Sequence, residues 1–126
     1  MSIQSNLEQA ANGLQMMSES DYPFTYVCTE AKVIDNDLVL KIAAKPQGTP
    51  IEQTTIEHLL RNMTDASSGS VSPQVANQFQ NLAATLKSEL SNLTVYRVGE
   101  VQVDVFILGL TKEGNVAGMR TKLIET

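Results

Sequence analysis

Three segments near the end of the chain, residues 94–98, 101–110 and 116–124, are rich in β-branched and apolar residues and are punctuated by Gly99-Glu100 and by Lys112-Glu113-Gly114-Asn115. Turns this short join antiparallel neighbours, so the three segments are expected to form a meander. The middle segment constrains the fold most. Val101, Val103, Val105 and Ile107 project to one side of it, and Phe106 and Leu108 to the other. A strand that is apolar on both faces needs cover on both, so helices are expected above and below the sheet.

The rest of the chain supplies candidates for that cover. Between residues 3 and 17 the apolar positions Ile3, Leu7, Ala10, Ala11, Leu14 and Met17 recur at three and four, which predicts an amphipathic helix ending near Ser18, with Gly13 weakening its interior. Tyr22-Pro23 breaks helical geometry, and residues 24–29 then alternate as a strand. Asp35-Asn36-Asp37 reads as a turn into a further strand at 38–43, and Pro46, Gly48 and Pro50 punctuate a loop. Thr54 or Thr55 can cap a short helix carrying Ile56, Leu59, Leu60 and Met63. Residues 64–72 read as a serine-rich loop. Ser72-Pro73 then opens a long helix by N-cap and N1 preference, lined by Val75, Phe79, Leu82, Ala83, Leu86 and Leu90 and stopped near Asn92. The expected fold class is α+β: a three-layer α-β-α sandwich around a mainly antiparallel central sheet, with residues 1–126 forming one domain.

Charge and cysteine content narrow the function. A net charge of −5 argues against direct nucleic-acid binding, which relies on basic patches to displace counterions, and leaves room for a basic protein partner. With Cys28 the single cysteine, a disulfide framework is excluded and a reducing, cytoplasmic setting is expected. The first dozen residues lack the basic start and apolar run of a signal peptide, and no apolar stretch approaches membrane length.

Enzyme signatures are absent. His58, the only histidine, stands between Glu57 and Leu59 and is expected to have a structural or surface role. Cys28, within a strand pattern, is expected to be a small buried hydrophobe. Gly109, Gly114 and Gly118 are spaced as turn and strand glycines and open no helix, so they form no phosphate loop. No Cys/His cluster or calcium-loop spacing suggests a protein-only metal cage, and no cofactor is expected.

Two features remain. Met17-Ser18-Glu19-Ser20-Asp21-Tyr22-Pro23 places two carboxylates, two hydroxyls and an aromatic within seven residues on a turn that proline stiffens. The chain also stops abruptly at Glu125-Thr126, straight after the last strand pattern, which makes an ordered, oxygen-rich tip the expectation. A solvated turn and a strand that simply runs out would account for each by itself.

The stretch from Leu7 to Phe24, above all residues 17–24, is similar to the nuclease A inhibitor family of small bacterial cytoplasmic proteins. The later segment resembles it too, through Val95-Tyr96-Arg97-Val98-Gly99-Glu100-Val101, Asp104-Val105, Gly109, Gly114-Asn115, Ala117-Gly118, Thr121-Lys122 and the final Glu125-Thr126. Residues 29–75 match poorly. The resemblance implies an α-β-α sandwich that blocks a sugar-non-specific nuclease of the ββα-metal type. It implies that Glu19 engages the nuclease through a bound divalent metal, Mg2+, or its waters, and that Thr126 enters the active site near that ion. Ser20, Asp21 and Tyr22 of the same loop, and Glu125, are implied as partner-binding residues. Asp65 is implied as well, from the segment before the long helix, where the characterised inhibitor carries Asp-Trp and this chain holds no tryptophan. A non-inhibitory interaction module with the same fold is the alternative.

Overall fold

The computed structural model describes residues 3–12, 15–16, 22–60, 73–100 and 102–124. In chain order they form α1 (Ile3–Ala11), β1 (Gln15–Met16), β2 (Tyr22–Pro23), β3 (Thr25–Cys28), α2 (Asn36–Ala43), β4 (Ile51–Thr54), α3 (Ile56–Leu60), α4 (Pro73–Glu89), β5 (Ser91–Val98), β6 (Gln102–Leu110) and β7 (Val116–Ile124). Five strands make the main sheet in the order β3-β7-β6-β5-β4, every neighbouring pair antiparallel, and β1 and β2 pair separately. The predicted meander is β5-β6-β7, and it forms the middle of the sheet.

Pleating sorts the side chains of β6 between two cores. Val103, Val105 and Ile107 join Leu7 and Ala11 of α1, Ile56 and Leu60 of α3, and Phe79, Leu82 and Leu86 of α4. Phe106 and Leu108 join Val39, Leu40 and Ala43 of α2, with Tyr96, Val98 and Val116. Helices therefore lie on both faces, and the α+β class and layered arrangement expected from the sequence hold. Within the first core, Phe24 and Phe79 meet edge to face, centroids 6.2 Å apart and planes at 68°. On β7, Gly118 sits so close to β6 that an added Cβ would fall on the Ile107 carbonyl oxygen, which fixes glycine there by contact.

Two expectations are corrected here. Residues 38–43, expected as a strand, belong to α2. Asp35 has extended backbone and its carboxylate accepts the Leu38 N–H at 2.8 Å, an N-cap that satisfies an otherwise orphaned donor. The helix ends at Ala44, a non-glycine residue at φ 58°, where the Ala44 and Lys45 N–H groups donate back to the Lys41 and Leu40 carbonyls. The first helix stops at Ala11 instead of near Ser18, and Gln15–Met16 pair as a strand with Tyr22–Pro23. The apolar periodicity ran on past the helix because Met16 and Met17 suit either element. Residues 51–54, to which the sequence pattern assigns no element of their own, form the edge strand β4 against β5.

Other boundaries match closely. Thr55 is the cap of α3, its Oγ1 accepting the His58 N–H at 3.1 Å. Pro73 opens α4, and Leu90 closes it by donating to the Leu86 carbonyl at 3.0 Å. Asn92, expected as the stop, instead sits at φ 54° where the β5–β6 register shifts between Ser91 and Thr94, a bulge that lies just after the helix.

Candidate functional site

Of the residues singled out by sequence, Glu19, Ser20, Asp21, Asp65, Glu125 and Thr126 lie outside the described residues. Tyr22 is described as a member of β2. What is described is the framework from which the acidic segment and the C-terminal residues extend. Met16 is paired with Tyr22 and Gln15 with Pro23, so the described residues on either side of 17–21 meet at one ladder rung. After Pro23 the chain continues into β3, whose first pair is Thr25 with Arg120 of β7.

From that pair the two strands extend the same way. Backward from Thr25 the chain reaches Tyr22, and forward from Arg120 it reaches Ile124, a span of about 13 Å at strand rise. Both β1 and β2 approach β7 within 8 Å, Cα to Cα. Across the sheet Ile124 pairs with Gln102, and Val98 with Asp104, so the Gly99-Glu100 turn stands at this end too. One end of the sheet thus gathers the anchors of residues 17–21, the last described residue before Glu125-Thr126, and the β5–β6 turn. Gly99 holds that turn at φ 105°, its N–H donating to the Pro50 carbonyl at 2.9 Å, and thereby ties it to the start of β4.

Charged side chains on β6 and β7 mark this end. Asp104 is buried and stands opposite exposed Lys122, while the Arg120 guanidinium lies 5.2 Å from the Phe106 ring centroid. The ring face attracts the cation and fixes a side chain that would otherwise be free to sample many rotamers. Thr121, buried between these two cations in sequence, points to the opposite core with Met119 and Leu123.

The far end of the same strands is tied by neutral hydrogen bonds. Asn115 donates to the Thr29 carbonyl at 2.9 Å and to Cys28 Sγ at 3.5 Å, and accepts from Thr111 Oγ1 at 2.5 Å. Cys28 is exposed, which corrects the expectation of a buried thiol: β3 is an edge strand with only β7 beside it. Next to it, burial and the Cys28 side chain push the Tyr26 phenol up to about 12. His58 is exposed on α3, in keeping with a surface role. Among the described residues no group of three or more His, Cys, Asp or Glu side chains could hold a metal ion, and no helix is long and apolar enough to cross a membrane.

Comparison with protein families matches residues 1–126 to the nuclease A inhibitor-like protein family. The chain belongs to this family. Membership covers the middle of the chain as well as both ends, including residues 29–75, where the resemblance carried by individual residues was weakest. No curated protein matches the chain. A role as a nuclease inhibitor follows from membership of this family, and a nuclease is the partner it implies. The framework also shows a feature that periodicity missed: Gln15–Met16 and Tyr22–Pro23, the described residues on either side of 17–21, pair as antiparallel strands. The signals were Gly13, which weakens a helix interior, and Pro23, which pre-sets extended backbone for Tyr22.

Proposed function

We propose that this protein inhibits a metal-dependent, sugar-non-specific nuclease of the ββα-metal type by placing Glu19 and Thr126 at the enzyme's divalent ion. The observation that supports the reading is that β1 and β2, the strands on either side of residues 17–21 in sequence, pair with each other and approach β7, the strand that precedes Glu125 and Thr126. Strands that lead into the acidic segment and toward Glu125-Thr126 from one sheet end would let both segments address one small target together. Magnesium is a hard cation that prefers oxygen ligands and retains several of its waters. Carboxylate and hydroxyl groups reaching it directly or through those waters imitate the phosphate that the enzyme would otherwise polarise. Ser20, Asp21, Tyr22, Asp65 and Glu125 supply surrounding contacts. The net charge of −5 accelerates encounter with a groove built to hold nucleic acid.

A plasmid-degradation assay with a ββα-metal nuclease, magnesium and excess inhibitor tests this directly. Protection of the plasmid is expected, and undiminished cleavage would sink the proposal. Deleting Thr126, or Glu19→Ala, is expected to weaken inhibition roughly 30-fold, the scale of an interface hot spot near 2 kcal/mol. If the two residues serve the partner and not the core, the thermal midpoint should stay within a degree or two, because substitutions outside packed or hydrogen-bonded sites change stability by about 0.5 kcal/mol or less. Parallel loss of fold and inhibition would assign both residues a structural role instead.

A further inference from the structure

The seam between α1 and α4 carries a second surface, built from carboxamides. On α4, Gln74, Asn77, Asn81, Thr85 and Ser88 recur at three and four residues and form one straight stripe along the helix. Asn6 and Gln9 of α1, with Asn12 just past its end, recur every three residues and form the facing wall. Between them run two adjoining clefts of about 480 and 320 Å³, which share Gln9, Ala10 and Asn81. Among the described lining residues Glu89 alone is ionisable, and it accepts a hydrogen bond from Asn6 at 3.0 Å at one end of the seam.

The stripe is self-complementary. Laid antiparallel on a second copy and centred on Asn81, it sets Asn81 against Asn81, Asn77 against Thr85 and Gln74 against Ser88. Each carboxamide both donates and accepts, so every such pair can bond without a charge being buried. A twofold axis requires this arrangement, with the same patch on both copies. Other occupants fit less well. Among the described lining residues no aromatic ring is available to stack a base or a sugar, and a phosphate chain would meet a protein of net charge −5.

Charge also selects this face. Two copies at −5 each repel, and the α1–α4 seam lets them meet where ionisable groups are sparse. The 17 residues of α4 span about 26 Å and the nine of α1 about 14 Å. At about 10 Å width for each helix, the patch is about 400 Å² per copy, so roughly 800 Å² in total, the low end where transient associations sit.

We infer that this protein forms a weak, symmetric homodimer through the carboxamide stripe of α4 and the facing wall of α1. Sedimentation of the full chain from roughly 10 μM to roughly 1 mM tests it, a range bracketing the weak dissociation constant expected of so small a patch. The mass should rise from 13.7 kDa toward twice that value. Raising the salt from about 0.05 to about 0.5 M should strengthen association, because it screens the like net charges. Asn81→Glu and Asn81→Lys, each exposed on α4 and expected to leave the circular dichroism unchanged, should each remain monomeric over the range. An equimolar mixture of the two should dimerise again. The same charge placed on the exposed edge strand, Gln53→Glu, should leave the dimer intact. A single 13.7 kDa species for the parent chain throughout, or a dimer indifferent to both Asn81 variants, would overturn the proposal.

Discussion

One face of the five-stranded sheet is covered by α1, α3 and α4, and the other by α2 together with the partly buried Ala31 and Ile34. The two sides solve the same problem, hiding alternate residues of β5, β6 and β7, with very different means. On the three-helix side long apolar stripes interlock, and Leu7, Phe79, Leu82 and Leu86 are completely or almost completely buried. On the other side an eight-residue helix depends on its two ends, the Asp35 cap and the left-handed Ala44, for much of its local order. Isolated helices of that length are marginal in water. The contrast teaches that the three-helix side stabilises its helices by packing several against one another, whereas α2 covers its face alone through Val39, Leu40 and Ala43, and its N-cap adds about 1 kcal/mol to that packing.

The largest effect expected of this contrast is on large-to-small substitutions. Phe79→Ala and Phe106→Ala each fall in the range of about 3–5 kcal/mol for deleting a buried ring. Phe79 stands among three helices and stacks edge to face on Phe24, so its cavity has rigid walls and its loss belongs at the upper end. Phe106 lies beneath α2 and Arg120, and α2 can settle into the space, which places it at the lower end. Chemical denaturation of both variants measures the difference. A greater loss for Phe106→Ala would show that α2 is the more rigid cover.

This contrast also explains what was legible in the sequence. The meander and α4 could be read because long periodic runs were bounded by strong punctuation: Pro73 at N1, Gly99 at a positive-φ turn, and Gly114 in the β6–β7 loop. The two-sided character of β6 was visible for the same reason, since Phe106 and Leu108 interrupt an otherwise one-sided alternation. In α2 the apolar residues Leu38, Val39, Leu40 and Ile42 are packed so densely that helix and strand periods cannot be told apart over so few positions. Asp35 was read as a turn residue, and the same short carboxylate that favours turns also caps helices. At the candidate site the chemistry of residues 17–21 was legible, but the pairing of Met16 with Tyr22 was not, because it joins a segment with helical periodicity to one that proline has made extended. The proximity of both to β7 depends on sheet order, which no local pattern encodes.

Smaller changes at the ends of α2 sharpen the comparison in both directions. Asp35→Ala removes the acceptor for the Leu38 N–H and is expected to lower stability by about 1 kcal/mol. Ala44→Gly relieves a side chain held at φ 58° and should raise stability by up to about 1 kcal/mol. Amide hydrogen exchange locates both effects: protection should change across residues 36–43 and remain constant in α4. A uniform change across the molecule would show that α2 does not open independently of the rest.

Tyrosine titration probes the two sides separately. Burial raises Tyr26, which packs against the three-helix core, to about 12, and burial with the nearby Asp35 charge raises Tyr96 on the α2 side. A phenol whose folded-state value lies above its ordinary value of 10.0 contributes stability that is fully present below that value and lost as the pH rises through about 12. Stability should therefore decline over this alkaline window, and Tyr26→Phe should flatten the decline. In a Tyr22→Phe background, phenolate absorbance reports the remaining two tyrosines. Asp35→Ala should bring the Tyr96 midpoint down while the Tyr26 midpoint stays. Movement of both would mean that the two sides are coupled through the sheet.

The smallest effect is expected where α3 meets α4, at the ion pair between Glu57 and Lys87. A hydrogen bond from Lys87 is the main cause holding the Glu57 carboxyl below its ordinary value, but both side chains are more than half or about half exposed, at 63% and 50%. Solvent and salt screen such a pair, so Glu57→Gln should change stability by about 0.5 kcal/mol or less at neutral pH. The sign follows from the lowered carboxyl: its contribution is present above the ordinary value of 4.5 and disappears as the pH falls through the lower folded-state value. The difference between parent and variant should accordingly vanish in acid and shrink in high salt. If the three-helix side is stabilised by its apolar packing, removing this pair leaves α3 as protected from hydrogen exchange as before. Loss of protection confined to residues 56–60 would instead show that α3, a helix of five residues, depends on its end groups in the way α2 does.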